Sequence, residues 1–174
     1  MIFRTNKYYL LILLASFIVG GCGDFSGNYD EIESSISSEY TTTTDTTAPT
    51  VSSVSPTDNQ SGVSITDNIS VTFSETMDTT YVTTNTSDTY CSGTLRVSSD
   101  NFSTCVKMSS SPASSNSDKT FTVDPSDNLS RATTYKIIVT TGVKDRAGNT
   151  LSSQYETSSG FVSTTLDNTS NSDN

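Results

Sequence analysis

The chain has 174 residues, with nine basic residues, nineteen acidic residues and no histidine, which gives a net charge of −10 at pH 7. This charge repels phosphate backbones and argues against nucleic-acid binding. The lack of histidine excludes histidine triads and histidine-based zinc sites, because both need an imidazole.

The first predicted element is an export signal over residues 1–21. Arg4 and Lys7 precede an apolar run from Tyr8 to Val19, which is the order of charge and apolarity found in a signal peptide. The run has about a dozen residues, whereas a membrane-spanning helix needs roughly twenty. The sequence therefore predicts a segment that is removed after export.

The end of this run carries a cysteine motif. Val19-Gly20-Gly21-Cys22 resembles the bacterial lipobox, in which small residues precede a cysteine that receives a diacylglyceryl group before cleavage. The resemblance implies that Cys22 is lipidated and that at least two acyl chains hold the protein on a membrane, which is enough for stable anchoring. Gly23 in place of an aspartate favours the outer membrane if the organism is Gram-negative. An ordinary secretory signal with an incidental cysteine is the other interpretation.

The residues after the cleavage point are strongly acidic and start with a polar segment. Seven basic and nineteen acidic residues remain, a net charge of about −12, which argues against a polybasic contact with anionic lipid. Residues 22–47 have no sustained apolar period, so we predict a lipidated cysteine followed by a flexible acidic tether. Residues 167–174 are all Asn, Ser, Thr or Asp and are predicted to be a disordered tail.

Residues 48–166 show the alternation of a half-buried β-sheet. Ile69, Val71 and Phe73 alternate with short polar residues, and a period of two indicates a strand with one buried face. The other apolar positions of this kind are Val51 with Val54, Leu95 with Val97, Val106 with Met108, Phe121 with Val123, Tyr135 with Ile137 and Val139, and Phe161. Seven to eight short strands with turn residues between them predict an all-β, antiparallel β-sandwich.

Several motifs in this region also resemble a known family. In chain order they are Thr47-Ala48-Pro49, Ile69 to Asp78, Phe121 to Pro125, Gly142 to Asn149 and Phe161 to Thr165. This ordered set is similar to the bacterial Ig-like domain of surface-layer and other secreted proteins. The resemblance implies an Ig-like fold and a secreted setting, but it transfers no activity, because one fold can host many functions.

Two further cysteines, Cys91 and Cys105, lie in a stretch that does not match the family pattern. Two thiolates alone do not make a structural zinc site, and outside the cytoplasm such a pair more often forms a disulfide. The polar residues from Ser98 to Asn101 suit a turn that brings the flanking segments together. We predict an intradomain disulfide, with two separate buried cysteines as the alternative.

The side chains of the domain that are best suited to bind a metal ion are acidic. Glu75 and Asp78 follow a predicted strand, and Asp145 and Asn149 lie near the last hairpin. Oxygen ligands of this kind suit calcium, although Asp145 to Asn149 is also a good turn sequence. We predict no cofactor, with calcium on these four residues as the one candidate.

Three hypotheses of function follow. The first is a non-enzymatic, lipid-anchored envelope protein whose domain is a spacer or a binding and adhesion module for an unidentified protein or glycan. Tyr81 and Tyr90 lie near predicted loops of that module, although each is equally suited to a half-buried strand position. The second hypothesis is a calcium-stabilised adhesion module. The third is an envelope hydrolase with paired carboxylates, which requires an acid-lined cleft.

Overall fold

The computed structural model describes residues 43–165. The predicted signal, Cys22, most of the predicted tether and the predicted tail lie outside this part of the chain. The described part contains a single 3-10 turn at Thr79–Tyr81 and eight short strands. The strands are β1 (Val51–Ser55), β2 (Ile69–Phe73), β3 (Leu95–Ser98), β4 (Ala113–Ser115), β5 (Thr120–Val123), β6 (Thr134–Val139), β7 (Tyr155–Glu156) and β8 (Phe161–Val162). Between residues 43 and 165, no helix has the length and apolarity needed to cross a membrane.

The strands form two sheets. The first has the order β1-β2-β5-β4, and the second has the order β3-β6-β7, with β8 also paired to β6. Every pairing between named strands is antiparallel. This architecture confirms the predicted all-β sandwich.

The core forms because β2 and its neighbours present apolar residues to one face. Along β2, Ile69, Val71 and Phe73 are buried while the residues between them are partly exposed. The antiparallel register places Val71 opposite Phe121 of β5, and the rings of Phe73 and Phe121 meet edge to face with centroids 5.9 Å apart. Burial of apolar side chains such as these is the dominant favourable contribution to folding.

The structure differs from the sequence prediction at three strands. The predicted strand at Val106 and Met108 is wrong, because this segment makes only an isolated bridge between Met108 and Pro125. The strands β4 and β7 were not predicted. All three residues of β4 are exposed, so no apolar alternation marks this strand, and only its hydrogen bonds to β5 define it.

Hydrogen bonds to one carboxylate connect two parts of the domain that are about a hundred residues apart in sequence. The Asp58 carboxylate accepts hydrogen bonds from the backbone N–H groups of Ser158, Ser159 and Gly160 at 3.0, 2.9 and 2.6 Å. Loss of water from around the carboxylate would raise the pKa of Asp58, but the backbone N–H donors outweigh this and hold that pKa below its usual value. Gly160 has φ +78°, and a Cβ there would collide with the Tyr135 carbonyl, so only glycine fits this turn.

Candidate functional site

Three carboxylates from separate parts of the chain converge at one place. Glu75 follows β2, Asp145 lies in the turn after β6, and Asp45 precedes β1. One oxygen of each lies within 4.8 Å of the others. We call Asp45, Glu75 and Asp145 the acidic cluster.

Asp145 is the buried member of the acidic cluster, with 2% of its surface exposed. Its Oδ1 accepts the backbone N–H groups of Gly148 and Asn149 at 2.6 and 2.8 Å, and its Oδ2 accepts Nδ2 of Asn149 at 2.7 Å. Burial by itself would raise the pKa of Asp145, but these hydrogen bonds outweigh it and the pKa lies below its usual value. Asp145 therefore organises the turn that the sequence predicted.

Asp45 joins the acidic cluster from the segment that is predicted to be a flexible tether. Its carbonyl oxygen accepts a hydrogen bond from Nδ2 of Asn149 at 3.1 Å, and its carboxylate accepts the N–H of Thr47 at 2.9 Å. Sequence reasoning missed Asp45, because no pattern near it indicates a contact with a residue 104 positions away. Asn149 thus binds two members of the acidic cluster as a hydrogen-bond donor.

The pKa of Glu75 shows the repulsion among the negative charges of the acidic cluster. Burial, followed by the negative charges of Asp45 and Asp145, raises the pKa of Glu75 above its usual value. Like charges this close oppose ionisation, so a proton or a cation at this point relieves their repulsion.

Asp78, the remaining predicted calcium ligand, lies outside the acidic cluster. Its carboxylate accepts the N–H of Thr80 at 2.9 Å and the hydroxyl of Thr80 at 2.7 Å. These bonds lower the pKa of Asp78 and cap the 3-10 turn at Thr79–Tyr81. The structure therefore brings together Glu75, Asp145 and Asn149 from the predicted set, adds Asp45, and gives Asp78 a local capping role.

The acidic cluster lines an open cleft of about 490 Å³ that also carries Lys119 and Arg146. Lys119 donates to the carbonyl of Ser74 at 3.3 Å, and Arg146 pairs with Asp118 at 2.6 Å. The acid-lined cleft that a hydrolase requires is therefore present. Its carboxylates, however, converge on one point, whereas a glycosidase needs two that flank a sugar from opposite sides. Converging oxygens are the arrangement that a bound cation uses.

A second candidate surface surrounds the cysteine pair. Cys91 and Cys105 form the predicted disulfide, with an S–S distance of 2.05 Å. Tyr90, immediately before Cys91, is 78% exposed, and Tyr81 is 40% exposed. The Lys144 ammonium lies 4.4 Å from the centre of the Tyr81 ring, so a cation–π contact occupies that ring.

Comparison with known proteins agrees with this architecture of two antiparallel sheets. The family model described as the bacterial Ig-like domain matches residues 45–165. The chain therefore belongs to the bacterial Ig-like domain family. The match begins at the cluster residue Asp45, three positions before the predicted start of the domain. No curated protein matches this sequence.

Three solved structures of S-layer proteins match part of this chain. The S-layer protein rSbsC is 24% identical, with 68% of this chain and 14% of that chain covered and a TM-score of 0.46. Domains 1-6 of the surface layer protein SbsC are 23% identical, with 68% of this chain and 14% of that chain covered and a TM-score of 0.47. The N-terminal part of the bacterial S-layer protein SbsC is 23% identical, with 68% of this chain and 24% of that chain covered and a TM-score of 0.47. This chain spans less than a quarter of each of these structures.

Proposed function

We propose that the chain is a non-enzymatic lipoprotein of the cell envelope whose Ig-like domain serves as a spacer or as a binding and adhesion module. Lipid on Cys22 would fix one end to a membrane, which is the outer membrane in a Gram-negative cell. The acidic segment between Cys22 and Asp45 would separate this anchor from the domain, and the loops of the domain would face its partner. Membership of the bacterial Ig-like family supports the module, and the module needs no catalytic group.

The single observation that carries the anchor is Val19-Gly20-Gly21-Cys22 at the end of a short apolar run. Growth of producing cells with an alkyne-tagged fatty acid tests it. The wild-type protein should take up the label, and Cys22→Ala should remain unlabelled and uncut, because the sulfur receives the glyceride. A variant with Cys91→Ala and Cys105→Ala, which keeps Cys22, should label like the wild type. A Cys22→Ala protein that is still cut after Gly21 and stays membrane-bound would overturn the proposal.

A second candidate, a calcium-stabilised adhesion module, is supported by the acidic cluster. Asp45, Glu75 and Asp145 would hold the ion, and water would complete the six to eight oxygens that calcium prefers. The ion would neutralise the repulsion that raises the pKa of Glu75. It would also join the segment before β1 to the turn at Asp145.

Thermal melting of the full chain tests this candidate at pH 7 with calcium and with a chelator. Calcium should raise the melting temperature of the wild type, because a ligand that binds only the folded state stabilises it. Glu75→Gln should melt higher than the wild type in chelator and should lose the calcium response. Asp127→Asn, a change at an exposed acid outside the cluster, should keep that response. A wild type that does not respond to calcium would exclude the candidate.

The same variant gives a pH test with a defined sign. The raised pKa of Glu75 means that the folded chain binds this proton more tightly than the unfolded chain. In chelator, the stability of the wild type relative to Glu75→Gln should therefore increase as the pH falls from 7 toward that pKa. Hydrolysis of model glycosides by the wild type but not by Glu75→Gln would favour the envelope hydrolase instead.

A further inference from the structure

The tetrapeptide Asp-Asn-x-Ser recurs along the chain. It occurs five times, at residues 58–61, 67–70, 100–103, 127–130 and 167–170. Each copy contains Asn-x-Ser without proline at the middle position. In an exported protein this is the acceptor sequence for N-linked glycosylation, and it is expected on surface loops.

The four copies between residues 43 and 165 lie at one end of the sandwich. The register pairs the end of β1 with the start of β2, and the start of β2 with the end of β5. Asn59, Asn68 and Asn128 adjoin these strand ends. The end of β3, which precedes Asn101, pairs with the start of β6, which follows Asn128. Glu75 and the acidic cluster follow the opposite end of β2, so the four asparagines lie away from the predicted tether.

The side-chain amides of these four asparagines are accessible and unoccupied. All four residues are exposed. Between residues 43 and 165, the asparagines that donate a hydrogen bond from Nδ2 are Asn85, Asn116 and Asn149, and none of these belongs to the tetrapeptide. Asn85 also starts an Asn-x-Ser sequence, but it is 1% exposed. The copies of the tetrapeptide thus coincide with the asparagines whose amides an enzyme could reach.

Turn structure accounts for only part of the tetrapeptide. The aspartates of the first three copies accept backbone N–H groups, as is usual for aspartate in turns. Asn59 and Asn101 have φ of +65° and +57°, a left-handed conformation that asparagine tolerates. Asn68 and Asn128 are not among the residues with positive φ. Backbone conformation therefore does not explain the asparagine in these two copies, whereas an acceptor sequence explains it together with the serine.

We propose that Asn59, Asn68, Asn101 and Asn128 carry N-linked saccharides. The donor would be a saccharide on a membrane-bound polyprenyl diphosphate, transferred by an oligosaccharyltransferase of the producing cell. Nδ2 forms a bond to the anomeric carbon, and the bond from that carbon to the diphosphate oxygen breaks. The polyprenyl diphosphate leaves with the electron pair, and Nδ2 releases one proton to solvent. This modification goes beyond the module proposed above and rests on its export.

Intact-mass spectrometry of the full chain, purified from the producing cells in non-ionic detergent, tests the proposal. The reference is a quadruple variant with Asn59→Gln, Asn68→Gln, Asn101→Gln and Asn128→Gln. Because both proteins keep Cys22 and its lipid, the wild type should be heavier by the mass of the saccharides. Fragmentation of proteolytic peptides should locate one saccharide on each of the four asparagines.

Three further variants test the acceptor sequence itself. Ser61→Ala should lose the saccharide from Asn59, and Ser61→Thr should keep it, because the transferase requires a hydroxyl two positions after the asparagine. Asn116→Gln is the matched control, since Asn116 is exposed but has Asp118 two positions later. Its mass should differ from the wild type by the substitution alone.

Equal masses of the wild type and the quadruple variant, after correction for the substitutions, would overturn the proposal. Saccharide found only on serine or threonine hydroxyls, or saccharide on Asn59 that survives Ser61→Ala, would also overturn it. Mass spectrometry under non-reducing conditions confirms that each variant keeps the Cys91–Cys105 bond. Fatty-acid labelling at Cys22 is measured separately, so a labelled protein without saccharide leaves the anchor intact.

Discussion

The sheet β1-β2-β5-β4 and the segment around the disulfide are held together by different interactions. We call residues 83–108, which contain β3, the cystine segment. In the sheet, apolar residues alternate toward the core, and Phe73 packs against Phe121. Outside β3, the cystine segment contributes Met108 to the core, and the rest of it is held by the disulfide and by polar groups such as Asn85, which donates to the carbonyls of Asp88 and Val106. Burial of apolar area stabilises the first region, whereas the second depends to a larger extent on covalent and polar cross-links.

The largest expected effect is in the sheet. Phe121 is 1% exposed, so Phe121→Ala removes a full core side chain and its contact with Phe73. The free energy of unfolding should fall by about 3–5 kcal/mol, as measured by urea denaturation. Thr122→Ala, a change at the adjacent, partly exposed position of β5, should have a much smaller effect. A loss below about 1 kcal/mol for Phe121→Ala would show that the apolar core does not carry the sheet.

An intermediate effect is expected at the disulfide. The two cysteines are 14 positions apart, and opening a loop of this size should cost about 3 kcal/mol in the chain-entropy model. The variant with Cys91→Ala and Cys105→Ala should show this loss in the same urea experiment. Reduction of the wild type with dithiothreitol should give a similar loss. If both leave the midpoint unchanged, the polar groups alone hold the cystine segment.

The smallest expected effect is at a single hydroxyl. The Oγ of Ser98 is buried, accepts the N–H groups of Asp100 and Phe102 at 3.1 and 2.9 Å, and donates to the Asp100 carboxylate at 2.8 Å. Ser98→Ala should cost about 1–2 kcal/mol, because it leaves two donors without this acceptor. Ser99→Ala, at the next and exposed position, should be neutral. Equal stability of the two variants would mean that water replaces the hydroxyl.

The same contrast explains how much of the fold could be predicted. The strands β2, β5 and β6 follow from apolar alternation, because a buried face selects apolar residues at every second position. The alternation at Val106 and Met108 predicts a further strand, but Met108 is a buried core residue outside any strand, and its N–H donates to the carbonyl of Asn85. A strand whose side chains are all exposed, such as β4, shows no alternation of apolar residues in its sequence.

The candidate site was predictable to a similar degree. Glu75 and Asp145 stood out because acids next to turns are visible in the sequence. Asp45 did not stand out, because it lies in a polar run and its partner Asn149 is more than a hundred residues away. The disulfide could be predicted by counting, since Cys91 and Cys105 are the only cysteines after Cys22. The exposure of Tyr90 could not be predicted, because a tyrosine suits a loop and a half-buried strand equally.

The link between Asp58 and the turn before β8 joins the beginning of the domain to its end, and this has a consequence for biosynthesis. Asp58 binds N–H groups 100 to 102 positions further along the chain, and the N–H of Val162 bonds to the carbonyl of Gln60. A nascent chain that has not yet released Ser158 to Val162 lacks both partners. We therefore expect the domain to stay unfolded until its last strand has emerged, and to fold afterwards in one step. If the chain is exported as proposed, this order would keep it extended while it passes through the export channel.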